Sequence, residues 1–427
     1  MTSRKKILIN AYAISPTKGS EFSVGWNTIN LLAHKYSVYV LYGTSGESMG
    51  DTAEIDNLSQ NEFNENIKFI KVYPNCLARV LNNLNNLGFW LFFSPAFYFY
   101  QLDVLHVAKK LHKEVNFDII HQLNPIGFRE PGFLWQLDVP FIWGPVCGTY
   151  ILPSKLIFWK DLKLALDLTF RNMVKKTYLK FSLRIKEAVK RADVIIVVTK
   201  EDSNNFLKYF KRDTYNLTEN FVENNLIKTP ITDKDDTLKL VWVGRIDRRK
   251  NLGLLLDVLS KLKEYNWHLD IIGDGQLRNK MKTKSLFLGL DYKINFRGYL
   301  PRNEVKEILQ KSDLHVITSL YEATSTVLFE AYQNGIPTIS LNHCGMADVI
   351  CEKCGFLVSV EVENYEDLVG KFMIELKKIM TNRVILDFKS GSVATCLDKY
   401  SASQRLNDLE TYYEEAIINF NQKNKVK

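Results

Sequence analysis

The segment Asp313 to Ser340, DLHVITSLYEATSTVLFEAYQNGIPTIS, constrains the fold of this chain more than any other stretch. Leu314 to Leu320 is a short apolar run with β-branched residues, the pattern of a strand buried on both faces of a parallel sheet. Tyr321 to Thr324 is a turn. Val327, Leu328 and Ala331 then recur at helical spacing within Ser325 to Asn334. Gly335 and Pro337 stop that helix, and Pro337 to Leu341 opens the next strand. Two carboxylates bracket the strand-to-helix junction, Glu322 in the turn and Glu330 inside the helix. Ligands of open α/β sheets bind outside the carboxyl ends of strands. A helix start there offers unpaired N–H groups and the positive end of its dipole. Thr324, Ser325 and Thr326 add hydroxyl groups. The segment therefore points to a phosphate-bearing ligand, with one carboxylate near its reactive end and one further along it.

The same alternation runs through the chain. Lys6–Tyr12, Ser37–Tyr42, Ile67–Tyr73, Phe117–His121, Val139–Trp143 and Asp193–Thr199 read as strands separated by helical stretches. A second series follows, Leu238–Gly244, Leu269–Ile272, Ile294–Gly298, Leu314–Thr318, Thr338–Leu341 and Phe356–Val360, with a helix after each of the first five. This predicts an α/β protein of two Rossmann-like, doubly wound parallel-sheet domains, at residues 1–213 and 237–398. The polar, acidic stretch 214–236 is read as the linker and 399–427 as a terminal helical segment. Asp233 and Asp235 form a DxD in that linker and read as solvated charge.

Composition narrows the partners. With 46% hydrophobic residues among 427, the chain can fill large cores. No apolar run reaches the roughly 20 residues that span a bilayer. The start, MTSRKKILINAYAI, reads as a first strand and not as a signal peptide, so a cytoplasmic location is expected. The net charge of +8 is matched by one segment: Lys155 to Arg191 holds eleven Lys or Arg against three acids. Such a surface favours an anionic partner, such as lipid headgroups or phosphorylated acceptors. No nucleic-acid module is present, so nucleic acid is not expected. The aromatic run Phe89 to Tyr100, FWLFFSPAFYFY, reads equally as a buried helix connection or as an interfacial patch beside those cations. Six cysteines are scattered, with one C-x-x-C at Cys351 and Cys354. Zinc would need two more ligands, for which His343 and Cys344 are near in sequence. Reduced cytosolic thiols are the preferred reading and no metal site is assigned.

Leu240 to Leu252, LVWVGRIDRRKNL, is a strand ending in Gly244 and followed by Arg245 and Lys250, a planar fork and a point charge that both suit a diphosphate. Arg248 and Arg249 are expected at the surface. Gly273 and Gly275 end another strand in DIIGDGQ, and Arg297 and Gly298 end a third in INFRGYL. The glycine-bearing loop TKGSEFSVGW, with Gly19, follows the first strand and reads as a ligand loop or as an ordinary turn.

Taken together, these blocks resemble GT-B-fold retaining glycosyltransferases of family 4 (glycosyl transferases group 1). Glu322 and Glu330 match the family's Glu-x7-Glu motif with its following GIP and strand. Arg245 and Lys250 match its VGR-x4-K block, in which Asn251 stands where a glycine is usual. The Thr17–Trp26 loop is similar to the GSEPGVGW loop of one subgroup, and WGPVCG at 143–148 to its WGPVGG, with Cys147 for glycine. The resemblance implies two domains facing across a cleft, with the last helix returning to the first domain. It implies a metal-independent hexosyltransferase without cofactor, moving sugar from a nucleotide-diphosphate donor to a glycan or lipid-linked acceptor in surface polysaccharide synthesis. Catalytic roles then fall to Glu322, Arg245 and Lys250. Donor binding would add Gly19, Gly244, Gly273, Arg297, Gly298, Thr324, Ser325, Thr326 and Glu330. The aromatic run Phe89 to Tyr100 and the basic segment 155–191, and not the resemblance, suggest peripheral contact with the inner face of the membrane. Many members carry His-x-His where this chain has His121-Gln122-Leu123, so His121 is either an assisting catalytic group or a hydrogen-bonded support. A GT-B epimerase or phosphorylase, and a catalytically silent sugar-nucleotide-binding scaffold, are the alternatives.

Overall fold

The structure is a computed structural model and describes residues 4–19, 21–43, 53–57, 64–156, 162–222 and 236–425. The DxD pair and most of the expected linker lie outside these residues. The chain divides into two compact units. The first comprises residues 1–149, 176–219 and 403–427, and the second residues 150–175 and 220–402.

The first unit carries β1 (Lys6–Ala11), β2 (Ser37–Tyr42), β3 (Ile67–Lys71), β4 (Ile119–Asn124), β5 (Phe141–Val146), β6 (Val194–Val197) and β7 (Tyr215–Asn216). They form one sheet in the order β3-β2-β1-β4-β5-β6-β7, and every pairing is parallel. The second unit carries β8 (Leu238–Val243), β9 (Trp267–Ile272), β10 (Ile294–Gly298), β11 (Leu314–Ile317), β12 (Thr338–Leu341) and β13 (Gly355–Val358). Its order is β10-β9-β8-β11-β12-β13, again all parallel. Both are Rossmann-like sheets. In each, the chain winds outward one way from its first strand and then the other way. The strand order therefore reverses between β1 and β4, and between β8 and β11. Those two carboxyl edges are where such folds bind ligands.

Strand sequence explains the layering. All six residues of β4 are buried; Ile119 and Leu123 enter one core of the first unit and Ile120 the other. That two-faced burial is the signature of a parallel strand covered by helices. The first of these cores also takes Leu409, Tyr413 and Ala416 from the helix Ala402–Lys425. In the second unit, Leu254 to Leu259 of the helix Leu252–Ser260 and Leu368, Phe372 and Leu376 of the helix Tyr365–Thr381 pack on one sheet face.

The aromatic run 89–100 is partly buried and partly exposed. It enters the helix Phe93–Val115, with Pro95 in the first turn, where its missing N–H costs nothing. Phe97 and Tyr100 are buried in the core, whereas Phe89, Leu91 and Tyr98 are exposed. No described helix is long and apolar enough to cross a membrane.

Candidate donor-binding site

At the switch point of the second unit, β8 runs out into Gly244 and the loop 245–251, while β11 runs into the turn 318–325. Thr318 Oγ1 donates to Lys250 O at 2.8 Å, and Leu320 N–H donates to Arg249 O at 2.8 Å. The indole N–H of Trp242, on β8, reaches Thr318 Oγ1 at 3.1 Å. The first loop is shaped by Asp247, whose carboxylate accepts the Lys250 N–H at 2.9 Å. Asn251 closes it in the left-handed region, φ 50°. That conformation explains the residue: after glycine, asparagine tolerates it best, so the departure from the usual glycine keeps the backbone.

This turn throws two cations at one carboxylate. Lys250 Nζ donates to Glu322 at 2.8 Å, and Arg249 Nη1 donates to both of its oxygens at 2.8 and 2.9 Å. The expectation that Arg249 is a surface residue is corrected: it is half-buried because the 247–251 turn folds it inward. Its guanidinium lies 5.8 Å over the Tyr321 ring, and Lys175 lies 5.4 Å from the same ring. Burial pushes the Glu322 carboxyl up, but Lys250 and Arg249 outweigh it and hold its pKa below the ordinary glutamate range. Glu322 is therefore an anion at neutral pH. The Arg245 side chain, by contrast, is exposed and makes no hydrogen bond or ion pair among the described residues.

Beside these charges the ends of three strands form a bare backbone surface. Gly273 N–H donates to Gly298 O at 2.7 Å, and Gly244 N–H donates to Ile272 O at 3.0 Å. A Cβ on Gly273 would lie 2.0 Å from Gly244 O, and its φ of +127° is itself a glycine conformation. Arg297 is engaged elsewhere: its Nε donates to Asp270 at 2.6 Å, across β9 and β10.

The helix Thr326–Gln333 begins at Ser325, which makes no side-chain cap; Leu328 N–H donates to Ser325 O at 3.0 Å, and no side chain of Ser325 covers the N–H groups before it. Thr324 and Ser325 are buried, and Asn220 bridges the Thr324 and Thr326 hydroxyls at 3.3 Å each. The turn is braced from behind. His343 Nε2 meets Leu320 O at 2.7 Å, and Gly345 N–H donates to Glu322 O at 3.3 Å. A Cβ on Gly345 would fall 1.3 Å from Ala323 O, so only glycine fits there. Glu330, one turn into the helix, accepts from the exposed Arg302 at 3.0 Å. Burial raises its pKa and Arg302 only partly offsets this. The two motif carboxylates are thus set apart electrostatically, one held ionised and the other biased towards its proton.

The first-unit candidates look different. His121 is fully buried on β4; Nε2–H donates to Gly144 O at 2.6 Å and Nδ1 accepts from Tyr413 O–H at 2.8 Å. A carbonyl can only accept, which fixes this tautomer. Burial lowers its pKa to about 4. Gly19 is exposed, and a Cβ there would meet nothing within 4 Å. Beside it, Glu21 accepts the Ile126 N–H at 2.7 Å, and burial lifts its pKa to about 7. Arg249, Tyr321, His343, Gly345 and Glu21 are residues that sequence reasoning did not select. Arg249, Tyr321 and Glu21 lie within the motif stretches 240–252, 313–340 and 17–26, but local pattern does not show which way their side chains turn.

Residues 224–382 match the family model described as Glycosyl transferases group 1. Over 142 residues the chain is 32% identical to a lipopolysaccharide 1,6-galactosyltransferase of Escherichia coli (strain K12), covering 32% of this chain and 39% of the relative. The matches span 30%, 49% and 39% of the first curated relatives, so the chain spans less than half of their length. Among solved structures, the sucrose-phosphate synthase of Thermosynechococcus elongatus superposes with a TM-score of 0.65 at 15% identity, covering 96% of this chain and 99% of that one. The apo lipopolysaccharide outer core galactosyltransferase WaaB gives 0.63 at 17% identity, covering 98% and 99%. The fold of these glycosyltransferases, GT-B with its two Rossmann-like domains, is the fold seen here.

Proposed function

We propose that this chain is a retaining glycosyltransferase of family 4. It moves a hexose from a nucleotide-diphosphate sugar to a glycan or lipid-linked acceptor in surface polysaccharide synthesis. One observation carries the reading: at the β8/β11 switch point, Lys250 and Arg249 converge on an ionised Glu322 beside a glycine-lined strand edge. The match of residues 224–382 and the resemblance of the relatives support it.

The chemistry follows from where charge develops. As the anomeric carbon–oxygen bond breaks, negative charge grows on the diphosphate and positive charge on the sugar ring. Arg245 and Lys250 bind the diphosphate, with the uncapped start of the Thr326–Gln333 helix as a further donor. Entry of the diphosphate draws Lys250 from Glu322, which frees an oxygen of that carboxylate for sugar hydroxyls and the developing cation. The leaving phosphate takes the acceptor's proton on the face from which it departs, so configuration is retained. Glu330 accepts hydrogen bonds from the ribose hydroxyls. The Arg and Lys charges do the work that a divalent ion does in other transferases, so Mg2+ or Mn2+ is not required.

The protein acts in the cytoplasm at the inner membrane face. The helix Leu162–Phe181 exposes Leu162, Leu166, Phe170 and Met173 on one stripe among its lysines and arginines, an interfacial pattern.

The test is transfer from a panel of radiolabelled nucleotide sugars, with the anomeric configuration of the product read by NMR. Retention, with turnover unchanged on adding Mg2+ or Mn2+, is expected. Nucleotide-sugar binding without turnover would favour a silent scaffold, and inversion would overturn the family 4 assignment.

A further inference from the structure

Away from that edge, three cysteines from distant parts of the sequence bring their sulfurs together. Cys351 Sγ lies 3.3 Å from Cys354 Sγ and 3.2 Å from Cys396 Sγ, and all three lie within 4.8 Å of one another. Cys351 and Cys354 sit in the turn that enters β13, and Cys396 near the end of the helix Val384–Leu397. The third candidate ligand is neither His343 nor Cys344, the residues that are near in sequence, but Cys396. His343 is turned to Leu320 O instead.

Polar groups and one cation lie beside these sulfurs. The Cys351 N–H donates to Cys354 Sγ at 3.4 Å, and the Tyr332 hydroxyl lies 3.1 Å from the same atom. Gly355 follows directly, and a Cβ there would lie 2.4 Å from Thr338 O, so the turn is fixed in shape. Lys389 is buried against this turn. Its ammonium donates to Gly355 O at 2.9 Å and to Glu352 O, and lies 4.5 Å from the Phe356 ring centroid. Among the described residues no carboxylate pairs with it. Glu352 acts on it from a distance without forming an ion pair, and a buried ammonium that is not directly paired is costly. Three thiolates around a divalent cation carry a net charge of −1, which Lys389 would balance.

We propose that Cys351, Cys354 and Cys396 form a tri-thiolate site for one zinc ion, with the fourth position taken by a solvent ligand on the half-exposed Cys351 side. Binding breaks three S–H bonds, forms three Zn–S bonds and releases three protons to solvent. Zn–S bonds of about 2.3 Å in a tetrahedron set the sulfurs about 3.8 Å apart, so the Cys351 sulfur moves about half an ångström away from each of the other two on loading. The ion ties the entry to β13 to the helix Val384–Leu397. That helix packs, through Val393, Cys396 and Leu397, in the same core as Leu328, Phe329 and Tyr332 of the helix that carries Glu330. Zinc thus stiffens the donor-site helix from outside the site.

The test uses the full chain purified under reducing conditions without chelator. One zinc per chain by elemental mass spectrometry is expected, released by a mercurial thiol reagent. Cobalt titration of the metal-free protein should give thiolate-to-cobalt charge transfer and tetrahedral d–d bands. Chelation should lower Tm. Cys396→Ser should lose both metal and spectrum, while Cys76→Ser, at an exposed cysteine, should keep them. Because Cys396→Ser could misfold, the cobalt titration of the unmutated chain decides independently. Fully reduced protein that takes up neither metal overturns the proposal. So does a Cys351–Cys354 or Cys351–Cys396 disulfide in the protein as isolated from the reducing cytoplasm.

Discussion

The carboxyl edges of the two sheets have the same strand order and opposite chemistry. At the β8/β11 edge, partly buried charged groups are aimed at one another across loops: Lys250, Arg249 and Glu322, with Arg245 open to solvent. At β1/β4, the polar side chains turn inward. His121 spends both ring nitrogens on Tyr413 and Gly144, and Asn10 donates to Gln101 and Gln122 at 2.8 and 2.9 Å. Topology marks both edges as possible ligand sites. The side chains give the second the charges of the proposed diphosphate site and give the first, around β4, a buried polar core with Glu21 and the Gly19 loop among the described residues near its surface.

The largest test of this contrast is Glu322→Ala. It removes an ionised carboxylate from two cations and from the developing charge, so kcat should fall by about 10²–10³-fold, as for loss of a preorganised electrostatic group. Glu322→Gln should act mainly on kcat and Glu330→Ala mainly on nucleotide affinity. The reverse pattern would exchange their roles. Arg249→Ala comes next: a lost charged hydrogen bond costs roughly 1.5–3 kcal/mol, or about 10- to 150-fold in kcat/KM. Arg297→Ala, whose guanidinium is held by Asp270, should stay within a few-fold. Equal losses in both would erase the distinction between the loop cations and the strand cation.

Gly273→Ala probes the bare edge itself. The added Cβ collides with Gly244 O, and overpacking of this kind costs about 1–3 kcal/mol, visible as a lower Tm with weakened nucleotide binding. The smallest kinetic effect is expected at His121. His121→Ala should lower stability by roughly 1–3 kcal/mol, through the partners left unsatisfied, yet retain measurable turnover. A folded, nucleotide-binding but inactive variant would place this histidine in the chemistry. Its pH signature has a definite sign. The folded pKa is about 4 against 6.5 ordinarily, so below pH 6.5 the unfolded chain binds the proton first. Stability from this group is full above 6.5 and is lost as pH falls towards 4, so denaturant midpoints of His121→Ala should drop less steeply across that window.

The residues legible in the sequence were those fixed by local pattern. The boundaries of β2, β10 and β12 followed from short apolar runs between turn signals, as did the placing of Glu322 at the end of a strand and Glu330 inside a helix. What was not legible depended on geometry that no local pattern encodes. Arg249 turns inward only because Asp247 and Asn251 reverse the loop. Cys396 meets Cys351 only after a whole helix has packed. The pairing of His121 with Tyr413 joins residues 292 positions apart. The strand Tyr215–Asn216 is two residues long, too short for any periodicity to reveal.

The proposed diphosphate site at the β8/β11 edge draws its charge from Lys250 and its loop. Calorimetric titration of nucleoside diphosphates into the protein and into Lys250→Ala needs no knowledge of sugar or acceptor. The account predicts that at least one nucleoside diphosphate binds the unmutated chain. It also predicts that Lys250→Ala weakens that binding by about tenfold or more, the size of a lost charged hydrogen bond. Equal affinity in the two proteins, with both folded, would contradict it.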